Sequence, residues 1–368
     1  MGFSLRTWLM LAVISVPAII ACEVRADVVP TNSVIGLLVP PEESNGVSLR
    51  EGATLAVELA NQSAPPRWQL VVRGRAGQWG ADGVEAARMV TDDGAIGLIA
   101  PPDGAATHLV LQVSGRTAVP VITLSADSSV TRAGVPWALR IVPGAMDQAN
   151  ILLKHDAIAR WNIVVPDGRS GREASHDLST AASAVGCAIA QTNVLAGGNP
   201  NLTQLARAIL SNQPDAILLW LDATNASALI RTVRGAGFAG TLAGPAWLDS
   251  GGFVSLAGEA ANGLKIAEPV LDPPAQMAYD KFSGEFQRRF GNAPDAVARA
   301  GFDAANLLMQ ILRSAGNRPV NELFPVKAGF VGASGRMCFD AQGNRQSELH
   351  VVVLQNGKFS PIKPNQNQ

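Results

Sequence analysis

Short apolar runs of strand length alternate with amphipathic stretches along most of this chain. Residues 34–39 read as a first strand, followed after a polar loop by a helix over 50–61. A second strand spans 70–73, and Val84, Ala87 and Val90 mark a helical face beyond it. The apolar runs 95–99 and 119–124 have the length of buried parallel strands. Strands recur at 162–165, 187–194, 216–220 and 241–243, with helices around 173–185, 202–211 and 225–235 between them. Such β-α alternation predicts parallel sheets with helices on both faces.

Residues 94–140 carry the densest version of the pattern: strand, polar turn, short helix, strand, polar turn. Pro102-Asp103-Gly104 ends the first strand and Ser125-Ala126-Asp127 the second. The carboxyl ends of strands border the ligand crevice of an open α/β sheet, so these two clusters form a candidate binding wall. The pattern breaks near Pro143, and a second βα series occupies 144–268. Glu268-Pro269 and Asp272-Pro273-Pro274 then lead into helices at 279–290 and 303–315.

A chain of 368 residues has room for two domains. Hydrophobic residues make up 47%, and the 16% that are charged fall below the usual quarter, which suits a large buried core. The net charge is −1 with no basic run, which argues against binding nucleic acid or an anionic membrane by bulk electrostatics.

At the N-terminus, Arg6 precedes an apolar run from Trp8 to Cys22 broken by Ser15 and Pro17. The run falls short of the ~20 apolar residues a spanning helix needs and has the parts of a secretory signal. Val24-Arg25-Ala26 fits cleavage before Asp27, giving a signal over 1–26. Ile19-Ile20-Ala21-Cys22 resembles a lipobox, whose use would leave a lipid anchor on Cys22; the soluble reading leads because Leu usually stands where Ile19 does. Both exits put the mature protein outside the cytoplasm. Cys187 and Cys338 would then lie in an oxidising space that permits a disulfide.

Chemistry finds little support. His108, His155, His176 and His350 are scattered, and no CxxC, Cys/His cluster, nucleophile elbow, P-loop or dinucleotide fingerprint is present. The expectation is therefore no enzyme, no metal and no cofactor.

Several segments together resemble the branched-chain amino-acid-binding family of periplasmic solute receptors, which serve ABC importers. They are Gly94-Ala95-Ile96-Gly97, Val119-Pro120-Val121-Ile122 and Arg140-Ile141-Val142-Pro143. Further on come Phe286 to Pro294 with Gly301-Phe302-Asp303-Ala304-Ala305, and Gly332-Ala333-Ser334-Gly335 through Phe339-Asp340, Gly343 and Gly357-Lys358-Phe359. The resemblance implies two doubly wound parallel-sheet α/β lobes joined by a three-strand hinge. Residues 27–143 and 269–329 would form the first lobe, 144–268 and 330–368 the second. It implies capture of a small molecule by lobe closure and docking on an ABC permease; an envelope sensor with the same fold is the alternative. It also puts both Cys187 and Cys338 in the second lobe, leaving a disulfide or two separate thiols open.

By this resemblance Ser44, Asn45, Asp103, Gly104, Ser125 and Asp127 face the cleft from the first lobe, and Ser170, Asp222 and Trp247 from the second. Trp79, Arg169 and Arg172 are weaker candidates that read first as surface. The departures from the family pattern are informative. Amino-acid-binding members hold the ligand carboxylate with hydroxyls where this chain has Asp103 or Gly104 and Asp127, and the ligand ammonium with a "G-P-E" carboxylate where it has Gly244-Pro245-Ala246. Two like charges 4 Å apart repel by about 1 kcal/mol in water and about 4 kcal/mol at an effective dielectric of 20. The expected ligand is therefore not a standard α-amino acid but a neutral polyol, an amide or a cation. Asp103 and Asp127 have a second reading as helix caps or turn formers, and Asp222, ahead of Asn225 at a helix start, reads first as a cap.

Overall fold

The computed structural model describes residues 32–39, 44–62, 67–74, 80–155, 160–198, 200–316, 318–327 and 329–362. The N-terminal signal with Cys22, Trp79 and the Ser44 side chain lie outside the described residues.

The first lobe is built on five parallel strands: β1 (Asn32–Leu38), β2 (Arg67–Arg73), β3 (Ala95–Ala100), β4 (Val121–Thr123) and β5 (Ala138–Arg140), in the order β2-β1-β3-β4-β5. Helices α1 (Ser44–Asn61), α2 (Ala81–Thr91) and α3 (Gly104–Thr117) connect them. Alternate residues of one strand enter different cores. Ile35, Leu37 and Ile99 pack on one face with Ile122 and Leu139, whereas Leu38, Leu98 and Ala100 pack on the other with Val121 and Ala138. Burial on both faces is why these strands read as continuous apolar runs.

The second lobe repeats the scheme with α4 (Ala145–His155), β6 (Trp161–Pro166), α5 (Gly168–Ala184), β7 (Ile189–Leu195), α6 (Leu202–Leu210), β8 (Ala216–Leu219), α7 (Ala223–Gly235), β9 (Thr241–Ala243), α8 (Gly251–Ala257) and β10 (Lys265–Pro269). The chain then returns to the first lobe as α9 (Pro273–Phe290) and α10 (Ala296–Ala315). Leu307, Leu308 and Ile311 of α10 join the core that holds Leu49 and Ala53 of α1.

The return to the second lobe comes later than residue 330, where the resemblance put it. β11 (Phe330–Gly332), β12 (Gly335–Phe339) and β13 (Arg345–Gln346) form a separate antiparallel sheet. Met337 on β12 is fully buried in the first lobe's core, and Ala333 packs with Phe282 and Phe286 of α9. Burying these apolar side chains against α9 and α10 holds 330–346 on the first lobe. Only β14 (Leu349–Gln355) and β15 (Lys358–Pro361) join the second sheet, ordered β15-β14-β10-β9-β8-β6-β7, with β14 antiparallel to β10. Three crossings result, at 141–144, 270–272 and 347–348. They lie side by side, with Arg345 Nη1 donating to the Ile141 carbonyl at 2.9 Å and the Val270 amide to the Glu348 carbonyl at 2.9 Å.

Cys187 and Cys338 are both free thiols. Cys338 sits on β12, in the sheet held by the first lobe, so the placement of both cysteines in the second lobe is corrected.

Candidate functional site: the interlobe cleft

In both sheets the strand order reverses at the first strand of the lobe. β1 has β2 and β3 as neighbours, and β6 has β7 and β8. Loops after such strands diverge and leave a crevice. The loops after β3, β4, β6, β8 and β9, with the starts of α1 and α2, meet around a cavity of about 850 Å³ between the lobes.

Asn45, Asp103, Gly104, Ser125 and Asp127 line this cavity from the first lobe. Ser170, Asp222 and Trp247 line it from the second. The cap readings also hold. Asp103 Oδ1 accepts the Ala106 amide at 2.7 Å, while its Oδ2 accepts from Ser170 Oγ across the cleft at 3.0 Å. Asp222 caps α7 through the Asn225 amide at 2.9 Å and accepts the Asn225 side-chain amide at 2.6 Å, so both its oxygens are engaged.

Asp127 is different. Its Oδ1 accepts from the Ser129 amide at 2.8 Å and Ser129 Oγ at 2.7 Å, closing a turn. Its Oδ2 is buried with no hydrogen-bond partner. That oxygen packs on the α-carbon of Gly104: a Cβ there would stand 2.3 Å from it, so only glycine fits without displacing the carboxylate. Asn45 Oδ1 is a second buried acceptor without a partner on the same wall. Trp247 donates its indole N–H to the Leu221 carbonyl at 2.9 Å and meets Trp220 edge to face, 5.1 Å between centroids.

The structure adds lining residues that sequence reading did not place in the site: Asp82, His108, Asp167, Asp177 and Trp220, together with Arg169. Arg169, expected at the surface, reaches across to the first lobe, 3.0 Å from His108 Nε2 and 3.2 Å from Ser129 Oγ. Burial and then Arg169 lower the His108 pKa, leaving a neutral imidazole. Ser128 Oγ donates to Asp177 at 2.8 Å, a further bond between lobes. One signal was available for this rim: Pro166-Asp167-Gly168 at the end of β6 repeats the Pro102-Asp103-Gly104 that follows β3.

Deeper, Arg299 of α10 meets two carboxylates of the second lobe, Asp249 at 3.2 Å and Glu268 at 3.1 Å. Burial first, then the Glu268 charge, push the Asp249 carboxyl well above the usual range, with Arg299 opposing. Among the described residues, no group of three or more His, Cys, Asp or Glu could hold a metal ion. Nor is any described helix long and apolar enough to cross a membrane.

Two doubly wound lobes, three crossings and a cleft at the facing switch points define a two-lobed α/β binding protein. The family model for periplasmic binding proteins matches residues 35–324, and the chain belongs to that family. Solved structures share the fold. The leucine-binding protein LivK of Thermotoga maritima superposes with a TM-score of 0.80 at 19% identity, over 90% of this chain and 98% of that one. LivJ of Streptococcus pneumoniae, a branched-chain amino acid transporter substrate-binding protein in complex with isoleucine, gives 0.79 at 16%, over 90% and 100%. A solute-binding protein of an R. palustris ABC transporter, in complex with benzoate, gives 0.80 at 18%, over 89% and 95%. Among curated proteins, none matches the sequence.

Proposed function

We propose that this protein is an extracytoplasmic solute receptor that captures a small polar molecule between its lobes and delivers it to the permease of an ABC importer. The observation that carries this reading is the 850 Å³ cleft whose opposite walls already touch through Ser170 with Asp103 and Ser128 with Asp177. A ligand gripped by both lobes favours the closed state to the extent that it binds that state better. The secretory pattern at the N-terminus supports a location outside the cytoplasm, and the receptor role requires no bond chemistry.

The ligand is not a standard amino acid. Isoleucine and benzoate, present in structural neighbours, both carry a carboxylate. Here the Asp127 carboxylate lies against Gly104, at the start of α3, and would repel another.

A thermal-shift screen of chemically diverse metabolites tests the receptor reading, because a ligand at 100 times its dissociation constant adds about 2.7 kcal/mol of stability. A melt unmoved by every class would refute it. Micromolar binding of free leucine or isoleucine by calorimetry would leave the receptor standing and overturn the exclusion of amino acids.

A further inference from the structure

The cleft wall carries six aspartates, Asp82, Asp103, Asp127, Asp167, Asp177 and Asp222, against one arginine, Arg169. Three of them discharge helix ends. The N-termini of α3, α5 and α7 all point at the cleft, and each amide end carries about half a positive charge that would ordinarily attract an anion. Asp103 caps α3, Asp167 caps α5 and Asp222 caps α7, so the protein's own carboxylates already occupy those positions. His108 adds no compensating charge at neutral pH. Beneath the floor, Arg140 donates to the Ala126 carbonyl at 3.0 Å, but its one charge is shared among Asp147, Asp177, Asp340 and Asp127.

Two further observations concern donors. Asp127 Oδ2 and Asn45 Oδ1 are buried acceptors on the cleft wall with nothing donating to them, a costly state. A shift of the wall that admitted a ligand N–H would relieve it. The opposite wall presents the Trp220 and Trp247 rings, whose electron-rich faces attract cations and pack on apolar groups.

We propose, resting on the receptor reading above, that the ligand is a small organic cation, an amine or amidine with an apolar body. Asp127 is its counter-ion and specificity-determining residue, and the tryptophan pair covers the apolar part. Carboxylates are disfavoured because the positive ends of α3, α5 and α7 are already taken and six aspartates line the wall.

Matched probes differing in one group test this: benzylamine, benzyl alcohol and benzoate; isobutylamine, isobutanol and isobutyrate; with agmatine as a guanidinium-bearing cation. Each is read by thermal shift and calorimetry on the mature wild-type chain and on Asp127→Asn, which keeps the side chain's shape. At least one cation is expected to bind more tightly than its alcohol, with its carboxylate not binding. Asp127→Asn should weaken that cation roughly tenfold or more, the loss of one charge-assisted contact, while the melt without ligand stays near wild type. A carboxylate that matches or exceeds its amine overturns the proposal, as does a cation bound equally by Asp127→Asn. If Asp127→Asn does not fold, the amine-to-carboxylate ratio on wild type decides alone. No shift from any cation also overturns the proposal; the receptor reading then falls only if the wider metabolite screen is silent as well.

Discussion

Replacing Asp303 by Asn should destabilise the hinge far more than the loss of one charge suggests. Asp303 on α10 is fully buried. Its Oδ1 accepts the Ala333 amide at 2.8 Å, and its Oδ2 accepts the Ser334 amide at 2.7 Å and Ser334 Oγ at 2.6 Å. The carboxylate also packs closely on Gly332, where a Cβ would lie 2.5 Å from it. An asparagine supplies one acceptor oxygen and turns an N–H₂ toward the remaining donors, so at least one backbone amide is stranded. The cost of a stranded buried donor is about 1–3 kcal/mol. Arg345 is affected too. Burial pushes its pKa down to about 10, and Asp303 is the nearby charge that holds it up. Arg345 ties the first crossing to the β11–β12 segment through the carbonyls of Ile141, Ser334 and Arg336. Stripping a buried charge of its partner costs about 3–5 kcal/mol where contact is direct; here the two groups act through Ser334, so a total of about 3–4 kcal/mol is expected. Urea unfolding followed by circular dichroism and tryptophan fluorescence measures it, the two probes checking that the lobes unfold together. With an m-value of about 3 kcal/mol/M, the midpoint should fall by about 1 M or more. A fall under about 0.3 M would refute the reasoning. So would a double-mutant cycle with Arg345→Gln in which the two losses add within about 0.5 kcal/mol.

Two further substitutions test other parts of the structure. Gly104→Ala places a Cβ 2.3 Å from Asp127 Oδ2 and 2.8 Å from its Cβ, with Asp127 tethered by Ser129. The overpacking should cost about 1–3 kcal/mol, and an unchanged melting temperature would show that the turn yields freely. Asp249→Asn tests the buried acid pair through pH. The folded-state pKa of Asp249 is raised by burial and then by Glu268, so its contribution to stability is complete below the unfolded value of about 3.9 and is lost as pH rises through the folded value. The stability of wild type relative to Asp249→Asn, from urea titrations, should therefore decline as pH rises above about 4. A flat or rising difference would contradict it.

Much of the architecture was legible in the chain. Strands buried on both faces read as apolar runs, and Asp103 and Asp222 announce helix starts because an aspartate before a helix satisfies its free amides. The loop residues that meet in the cleft were legible as well, since strand ends at a switch point face the crevice whatever their side chains. Pairings between distant segments were not. Met337 holds 330–346 on the first lobe because of what α9 and α10 bury, and no local pattern records that. Arg169 meets His108 and Ser129 only after the lobes approach, so beside Asp167-Gly168 it looks like any surface arginine. The local sequence around Asp127 predicts a turn and stops there. That one oxygen is used in the turn while the other is buried against Gly104 without a donor depends on two loops packing together, and burial decides whether an acceptor is solvated or unsatisfied.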